Sequence, residues 1–269
     1  MNKRSEVLQC LADGVSRLTT TDAWQRYLDC QSRFHSYSFG NVLLIVFQRP
    51  DATRVADFHT WRKLNRTVRR GEKALWIMAP MASKVASSIE GGGDDEIDGR
   101  AVWGFRPVPV FDISQTDGQE LPTVCRRLHG DDPDGCYARL ADVARSCGFT
   151  VKDHQFASGT NGDCNHRTRC IRVESRNALA QRVKTLAHEL AHAVLHEQAG
   201  ERAVAELEAE STAYVVCQSL GIDTSDYSFG YVATWAGGGD RAAACIRAVG
   251  HRIQAAAATM LEALEDGSV

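Results

Sequence analysis

The sequence predicts an α+β protein of two domains, and three observations predict it. Strand-like segments are confined mainly to residues 74–113, helical periodicity dominates both ends, and charge splits sharply along the chain. Residues 1–80 hold thirteen Lys/Arg against seven Asp/Glu, a net +6, whereas the remainder carries −9. A basic first third on an acidic remainder points to two units with different partners. The 269 residues suffice for two modest cores, and 43% apolar with 24% charged residues is an ordinary globular composition. No stretch approaches the roughly 20 apolar residues that cross a bilayer, so no membrane partner is expected.

The opening MNKRSEVLQCLADGVSRL interleaves charged and apolar residues. It reads as an amphipathic helix over 5–18 and not as an export signal, which makes the cytoplasm the expected location. A second helix is expected over 22–36, where Trp24, Tyr27, Leu28 and Phe34 recur at helical spacing behind a Thr-Thr-Asp capping region. The dense apolar run NVLLIVFQ continues from Ser38 and is stopped by Pro50, which predicts a buried helix, with a strand as the alternative at this length. A short helix over Phe58–Lys63, a turn over Val68–Gly71 and a strand over Ala74–Ala79 follow.

Residues 83–100 are rich in Gly, Ser and Asp and read as a hairpin tip, with a β-rich return over 101–113. Residues 114–135 carry Asp, Gly and Pro and read as a connection. The expected domains are therefore 1–116 and 136–269, joined by a linker over 117–135. The second domain is expected to hold helices near 136–147, 177–197 and 201–219, a strand over 168–173, and a last helix from Asp240 to about Glu265. There is no internal repeat.

Nine cysteines are scattered with no CxxC pair, which fits free thiols in a reducing compartment. Cys164 and Cys170 flank His166, but their spacing is poor for a zinc site.

The long helix contains Leu186-Ala187-His188-Glu189-Leu190-Ala191-His192. Residues four apart share a helix face, so His188 and His192 can bind one ion. Leu179, Val183, Leu186, Leu190 and Val194 form a stripe expected to face the core. Glu189 falls close enough to the His pair to reach an attacking water without being a ligand. Catalytic zinc takes three protein ligands and keeps one position open. The following helix offers Glu206, Glu208 and Glu210. Glu206 and Glu208 lie about 200° apart, so only one of them can face the metal, and spacing does not choose between them. His196 continues the row and reads as a surface or supporting histidine. A third histidine ten residues after the first would define another class, but that position is Gln198. These parts imply peptide hydrolysis, with Glu189 as general base and an oxyanion donor drawn from Tyr214, Tyr227, Tyr231, His154 and His251.

Between Arg62 and Lys73 there are six cations, Arg62, Lys63, Arg66, Arg69, Arg70 and Lys73, opposed only by Glu72. Aromatics including Tyr37 and Trp61 lie upstream. Cations that track phosphates, with aromatics on which bases stack, are what single-strand binding uses.

Several stretches carry a family resemblance. Phe34-His35-Ser36-Tyr37-Ser38-Phe39-Gly40-Asn41, Val55-Ala56-Asp57-Phe58-His59-Thr60-Trp61, Val68-Arg69-Arg70-Gly71-Glu72-Lys73 and the PVPVFDISQT stretch at 107–116 resemble the amino-terminal domain of ArdC-type antirestriction proteins. Position 57 is Asp where that family usually has Gly. The carboxy-terminal half resembles the zincin-like, ImmA/IrrE-related metallopeptidase domain that accompanies it. The resemblance implies an α/β amino-terminal domain that binds single-stranded DNA through Arg62, Lys63, Arg66, Arg69, Arg70, Lys73, Tyr37 and Trp61. It implies a mainly helical second domain with a small sheet, holding Zn2+ in a gluzincin-like site. There the Glu before Ala in the Glu-x-Glu-Ala pattern, Glu208, is the third ligand beside His188 and His192, with Glu189 catalytic. The expected partners are single-stranded DNA and an unknown protein or peptide substrate. Two other readings fit the same residues: a non-catalytic DNA-protecting protein with a structural metal, and a repressor-cleaving regulator.

Overall fold

A computed structural model of the chain describes residues 2–84, 96–97, 100–121, 135–157, 159–197, 200–222, 224, 227, 229 and 239–266. It divides into two compact units. One comprises Met1–Gly14 and Gly40–Glu120, the other Val15–Phe39 and Leu121–Val269. The chain is α+β, as its segments predict. In order, the elements of the first half are α1 (Lys3–Arg17), α2 (Thr21–Arg33), α3 (Phe39–Gln48), β1 (Val55–Ala56), α4 (Phe58–Lys63), β2 (Arg66–Val68), β3 (Leu75–Lys84), β4 (Glu96–Ile97), β5 (Arg100–Asp112) and β6 (Thr116–Gly118). Then come α5 (Cys136–Ser146), β7 (Thr150–His154), β8 (Gly162–Asn165), β9 (Cys170–Glu174), α6 (Leu179–Leu195), α7 (Arg202–Ser219) and α8 (Gly239–Asp266).

In the first unit the antiparallel pair β3–β5 carries β1 on the other edge of β5, and β2 pairs separately with β6. The strand β3 runs past the expected end at Ala79, through Pro80 to Lys84. Its free edge explains the tolerance. Asn41 and Gln48 of α3 each bond both the N–H and the C=O of one β3 residue, Met78 and Trp76, at 2.8–2.9 Å. Those backbone groups therefore point away from β5, and their partners Pro107 and Pro109 owe no ladder bond. Pro80 falls on the same parity. At the far end Asp112, 1% exposed, accepts backbone N–H bonds from Thr53, Arg54 and Ser114. These bonds offset its burial and hold its carboxyl below the usual range. The expected hairpin tip lies largely outside the described residues. The segment expected as a linker contributes β6, because Thr116, Asp117 and Gly118 pair with Val68, Thr67 and Arg66.

The second unit layers helices on a three-stranded sheet of order β7-β9-β8, with β7 parallel and β8 antiparallel to β9. The segment Val15–Phe39 is part of this compact unit. The α2 helix buries Trp24, Tyr27 and Leu28 and packs on α7, where the Trp24 indole donates to Ser211 Oγ at 3.1 Å. Phe39 reaches α8 at Gly250, where a Cβ would stand 2.2 Å from its ring. The α7 helix is buried on most sides from Leu207 to Cys217 because α2, α6 and α8 all pack on it. The α6 helix lies between α7 and the sheet strands β8 and β9. Of its expected core stripe, Val183, Leu186 and Leu190 are fully buried, but Leu179 is half-buried and Val194 is 39% exposed, and Ala187, Ala191 and Ala193 complete the contact.

Candidate metal centre and nucleic-acid face

The last two turns of α6 project His188 and His192, and the first turns of α7 bring Glu206 opposite them. The two imidazole Nε2 atoms stand 3.1 Å apart, and Glu206 Oε2 is 3.6 Å from one and 3.7 Å from the other. Among the described residues these three form the cluster whose donor atoms converge closely enough for one ion. Two nitrogens on one tetrahedral zinc, each about 2.0–2.1 Å away, lie about 3.3 Å apart, so the donor set fits.

Each imidazole turns its other nitrogen to an anchor. His188 Nδ1 is 3.1 Å from Glu210 Oε2, and His192 Nδ1 is 2.9 Å from His196 Nδ1. Burial, reinforced by the imidazoles of His188, His196 and His166, pushes His192 down to about 3, so it is neutral at physiological pH. Burial also opposes charge on His188, but the hydrogen bond it donates to Glu210 and the carboxylates of Glu189, Glu210 and Glu206 outweigh it and raise its pKa. Glu189 is 9% exposed, and burial pushes it up to about 7 despite the lowering influence of His188.

A cavity of about 620 Å³ reaches His188 of this cluster and is also lined by Asn161, Gly162, Gln181, Lys184, Thr185, Glu189, Glu210 and Tyr227. Its floor depends on a glycine. A Cβ at Gly162 would stand 2.5 Å from Thr185 Cγ2 and 3.1 Å from Glu189 Cγ, so β8 lies this close to α6 only because it has no side chain there.

Residues 7–111 match the family model of the N-terminal domain of anti-restriction factor ArdC, and residues 146–218 match that of the IrrE N-terminal-like domain. The chain has the ArdC-type architecture. Two crystal structures of the antirestriction protein ArdC from plasmid R388 share this chain's fold. The metal-free one aligns with a TM-score of 0.54 at 21% identity over 86% of each chain. The Mn(II)-bound one aligns with 0.57 at 20% identity over 98% of each. An uncharacterized protein of Bacillus anthracis is 25% identical over 76% of this chain. The chain spans about two fifths (41%) of that relative's length.

The site departs from the expected ligand set at one position. The acid beside the histidine pair is Glu206, not Glu208. Glu208, on the other side of α7, is 2% exposed, and its Oε2 lies 3.0 Å from His196 Nε2 while Oε1 accepts from Arg252. Glu206 and Glu210 share one face at a spacing of four, and that spacing was the available signal. Arg252 carried no sequence signal, since it lies in an alanine-rich helix 44 residues away. Of the expected oxyanion donors only Tyr227 lines the cavity, and its hydroxyl donates to Cys217 Sγ at 3.6 Å. Tyr214 bonds Asp29, His251 packs on Phe39, His154 packs on Phe156, and Tyr231 lies outside the described residues.

The expected DNA-contact residues divide. Trp61 is fully buried, with its indole donating to Phe111 O at 2.9 Å, so it is core and presents no face for a base. Tyr37 belongs to the second unit, half-buried and edge-on to Phe34. Arg66 is turned onto Thr116 and the Gly118 and Gln119 carbonyls. Arg69 pairs with Glu72 and Asp117. Arg62, Lys63, Arg70 and Lys73 are exposed. The exposed aromatics are others, Trp103 (67%), Phe105 (49%) and Phe58 (41%). Trp103 and Phe105 lie two apart on β5, and the register with β3 shifts at Trp103, which falls between the partners of Met81 and Ala82.

Proposed function

We propose that this chain joins a single-stranded-DNA-binding domain to a zinc-dependent peptidase domain, in an antirestriction or DNA-protecting role inside the cell. The observation that carries the reading is the convergence of His188 Nε2, His192 Nε2 and Glu206 Oε2 beside the buried Glu189. These three side chains would hold the ion. Two imidazoles and a carboxylate suit zinc, and a relative of the same architecture is described as Mn(II)-bound. A divalent ion held there acidifies an attacking water and polarises the scissile carbonyl.

The chain's own groups supply the rest. Glu189 takes the proton of the attacking water and returns it to the leaving amine, a role for which a pKa near neutrality is suited. The strand β8 has one edge paired with β9, and its first residue Gly162, with Asn161 just before it, lines the cavity. An extended polypeptide can add to the other edge through main-chain hydrogen bonds, which supports a peptide substrate. The DNA reading is supported by the exposed cations Arg62, Lys63, Arg70 and Lys73 and by the open rings of Trp103 and Phe105. Cys147, Cys164, Cys170, Cys217 and Cys245 are free thiols, which supports a reducing, cytoplasmic setting.

The test is Glu189→Gln in zinc-loaded protein with unfolded casein as the peptide probe and a fluorescent single-stranded oligonucleotide as the DNA probe. The expected result is lost cleavage with unchanged DNA binding. Cleavage equal to the parent's would end the enzymatic reading. DNA protection by both proteins with cleavage by neither would favour a non-catalytic protector.

A further inference from the structure

We propose that Arg252, Glu208 and His196 form a relay that fixes the tautomer of His192 and leaves its Nε2 bare, making all three positioning residues of the centre. The proposal rests on the reading of His188, His192 and Glu206 as a metal site.

The argument runs inward from α8. Glu208 is 2% exposed, and its carboxylate can only accept hydrogen bonds. Its Oε1 accepts from Nε of Arg252 at 2.7 Å and also from Nη2. Its Oε2 lies 3.0 Å from His196 Nε2, so that nitrogen carries the hydrogen. With His196 in its neutral form, that single N–H leaves its Nδ1 an acceptor. Nδ1 lies 2.9 Å from His192 Nδ1, which is then the donor. The remaining nitrogen of His192, Nε2, is left with its lone pair free, 3.1 Å from His188 Nε2 and 3.7 Å from Glu206 Oε2. Which ring nitrogen of a histidine can ligate is set by the bond the other makes.

Of the two parts expected for His196, surface or supporting, this assigns it the supporting one. It is not a ligand, because both of its nitrogens are engaged, and at 15% side-chain exposure it is not a surface histidine either. It also explains why Glu208 is buried facing away from the histidine pair. An ion pair with Arg252 alone would need no imidazole between Glu208 and the ligand. The result ties the carboxy-terminal helix α8 to the chemistry through α7 and the end of α6.

The test uses the full chain with 15N-labelled histidine, freed of metal, and reads each ring's protonated nitrogen from long-range 1H–15N correlations. His192 is assigned by loss of its signals in His192→Ala. The parent protein should show His192 protonated at Nδ1. In His196→Ala that pattern should change to Nε2 protonation or a mixture, and Zn(II) affinity, measured by competition with a chromophoric chelator, should fall ten- to hundredfold. His196→Gln should restore both, because its amide offers an acceptor and a donor about as far apart as the ring nitrogens. An unchanged tautomer in His196→Ala overturns the relay, whatever happens to affinity, since a merely structural role would not set it. If His196→Ala does not fold, the parent alone decides, because Nε2-protonated His192 overturns the proposal. A parent that shows the expected tautomers but binds no Zn(II) keeps the relay and removes the metal reading.

Discussion

Glu210 Oε2 lies 3.1 Å from Nδ1 of His188, one helical turn beyond Glu206 on the same face of α7. One turn of helix thus supplies a carboxylate to the metal side of the histidine pair and a second that orients the ring. Carboxylates that hold a ligating imidazole typically contribute ten- to hundredfold to metal affinity. Glu210→Ala is expected to lose Zn(II) affinity by that factor, measured by chelator competition, while Glu206→Ala loses more. Equal affinity in Glu210→Ala and the parent would remove the orienting role.

Glu189 carries a cost in the metal-free fold. Its carboxyl is pushed up to about 7 by burial, from an ordinary value of 4.5. The folded state therefore holds a proton that the unfolded state releases. The stability this contributes is complete below pH 4.5 and declines as pH rises through about 7. A shift of that size corresponds to about 3 kcal/mol. Glu189→Gln, neutral at all pH, should melt higher than the parent at pH 8 in chelator and close to it at pH 4.5. Parallel melting curves across that range would show that the buried carboxyl is not strained.

Much of this arrangement was legible in the sequence, and the gaps have physical causes. His188, Glu189 and His192 could be read because a spacing of four on a strongly periodic helix fixes a common face. The choice between Glu206 and Glu208 could not be made from spacing, since each lies on a different face and the packing partner decides. The helices α2, α6, α7 and α8 were expected within a few residues of their bounds. The strands β7 and β8 were not expected, because Thr150-Val151-Lys152-Asp153-His154 is mostly exposed and polar, and Gly162-Asp163-Cys164-Asn165 is an edge strand with a glycine at its closest contact. Trp61 was read as a base-stacking residue because aromatics near cations look alike in sequence whether buried or open. The partner that settles it, the Phe111 carbonyl, is 50 residues away.

The two tryptophans Trp61 and Trp103 should separate stability from binding. Trp61 is fully buried, so Trp61→Ala is expected to destabilise the fold by about 3–5 kcal/mol. Trp103 is 67% exposed, so Trp103→Ala should leave melting unchanged and weaken a single-stranded oligonucleotide by about 1–3 kcal/mol. Replacing Arg62, Lys63, Arg70 and Lys73 together by Ala should flatten the salt dependence instead. Each lost phosphate contact removes roughly 0.7 from the slope of log K against log salt. An unaltered slope in that variant would clear this face of any part in binding.

The approach of β8 to α6 yields the most local prediction. A methyl group at position 162 would meet Thr185 Cγ2 at 2.5 Å, the Arg172 carbonyl at 3.0 Å and Glu189 Cγ at 3.1 Å. The carbonyl is backbone and Glu189 is held by burial, so relief has to come from the strand or from Thr185. Gly162→Ala should cost about 1–3 kcal/mol, as overpacking does, and shift Glu189 enough to reduce peptide cleavage. Thr185→Ser deletes the offending Cγ2 while keeping the hydroxyl that donates to the Gln181 carbonyl at 2.9 Å. Combined with Gly162→Ala it should recover part of the lost stability, giving a favourable coupling in a double-mutant cycle. Strict additivity of the two substitutions would mean that strand and helix do not meet at this glycine, and with it the floor of the cavity would have to be drawn elsewhere.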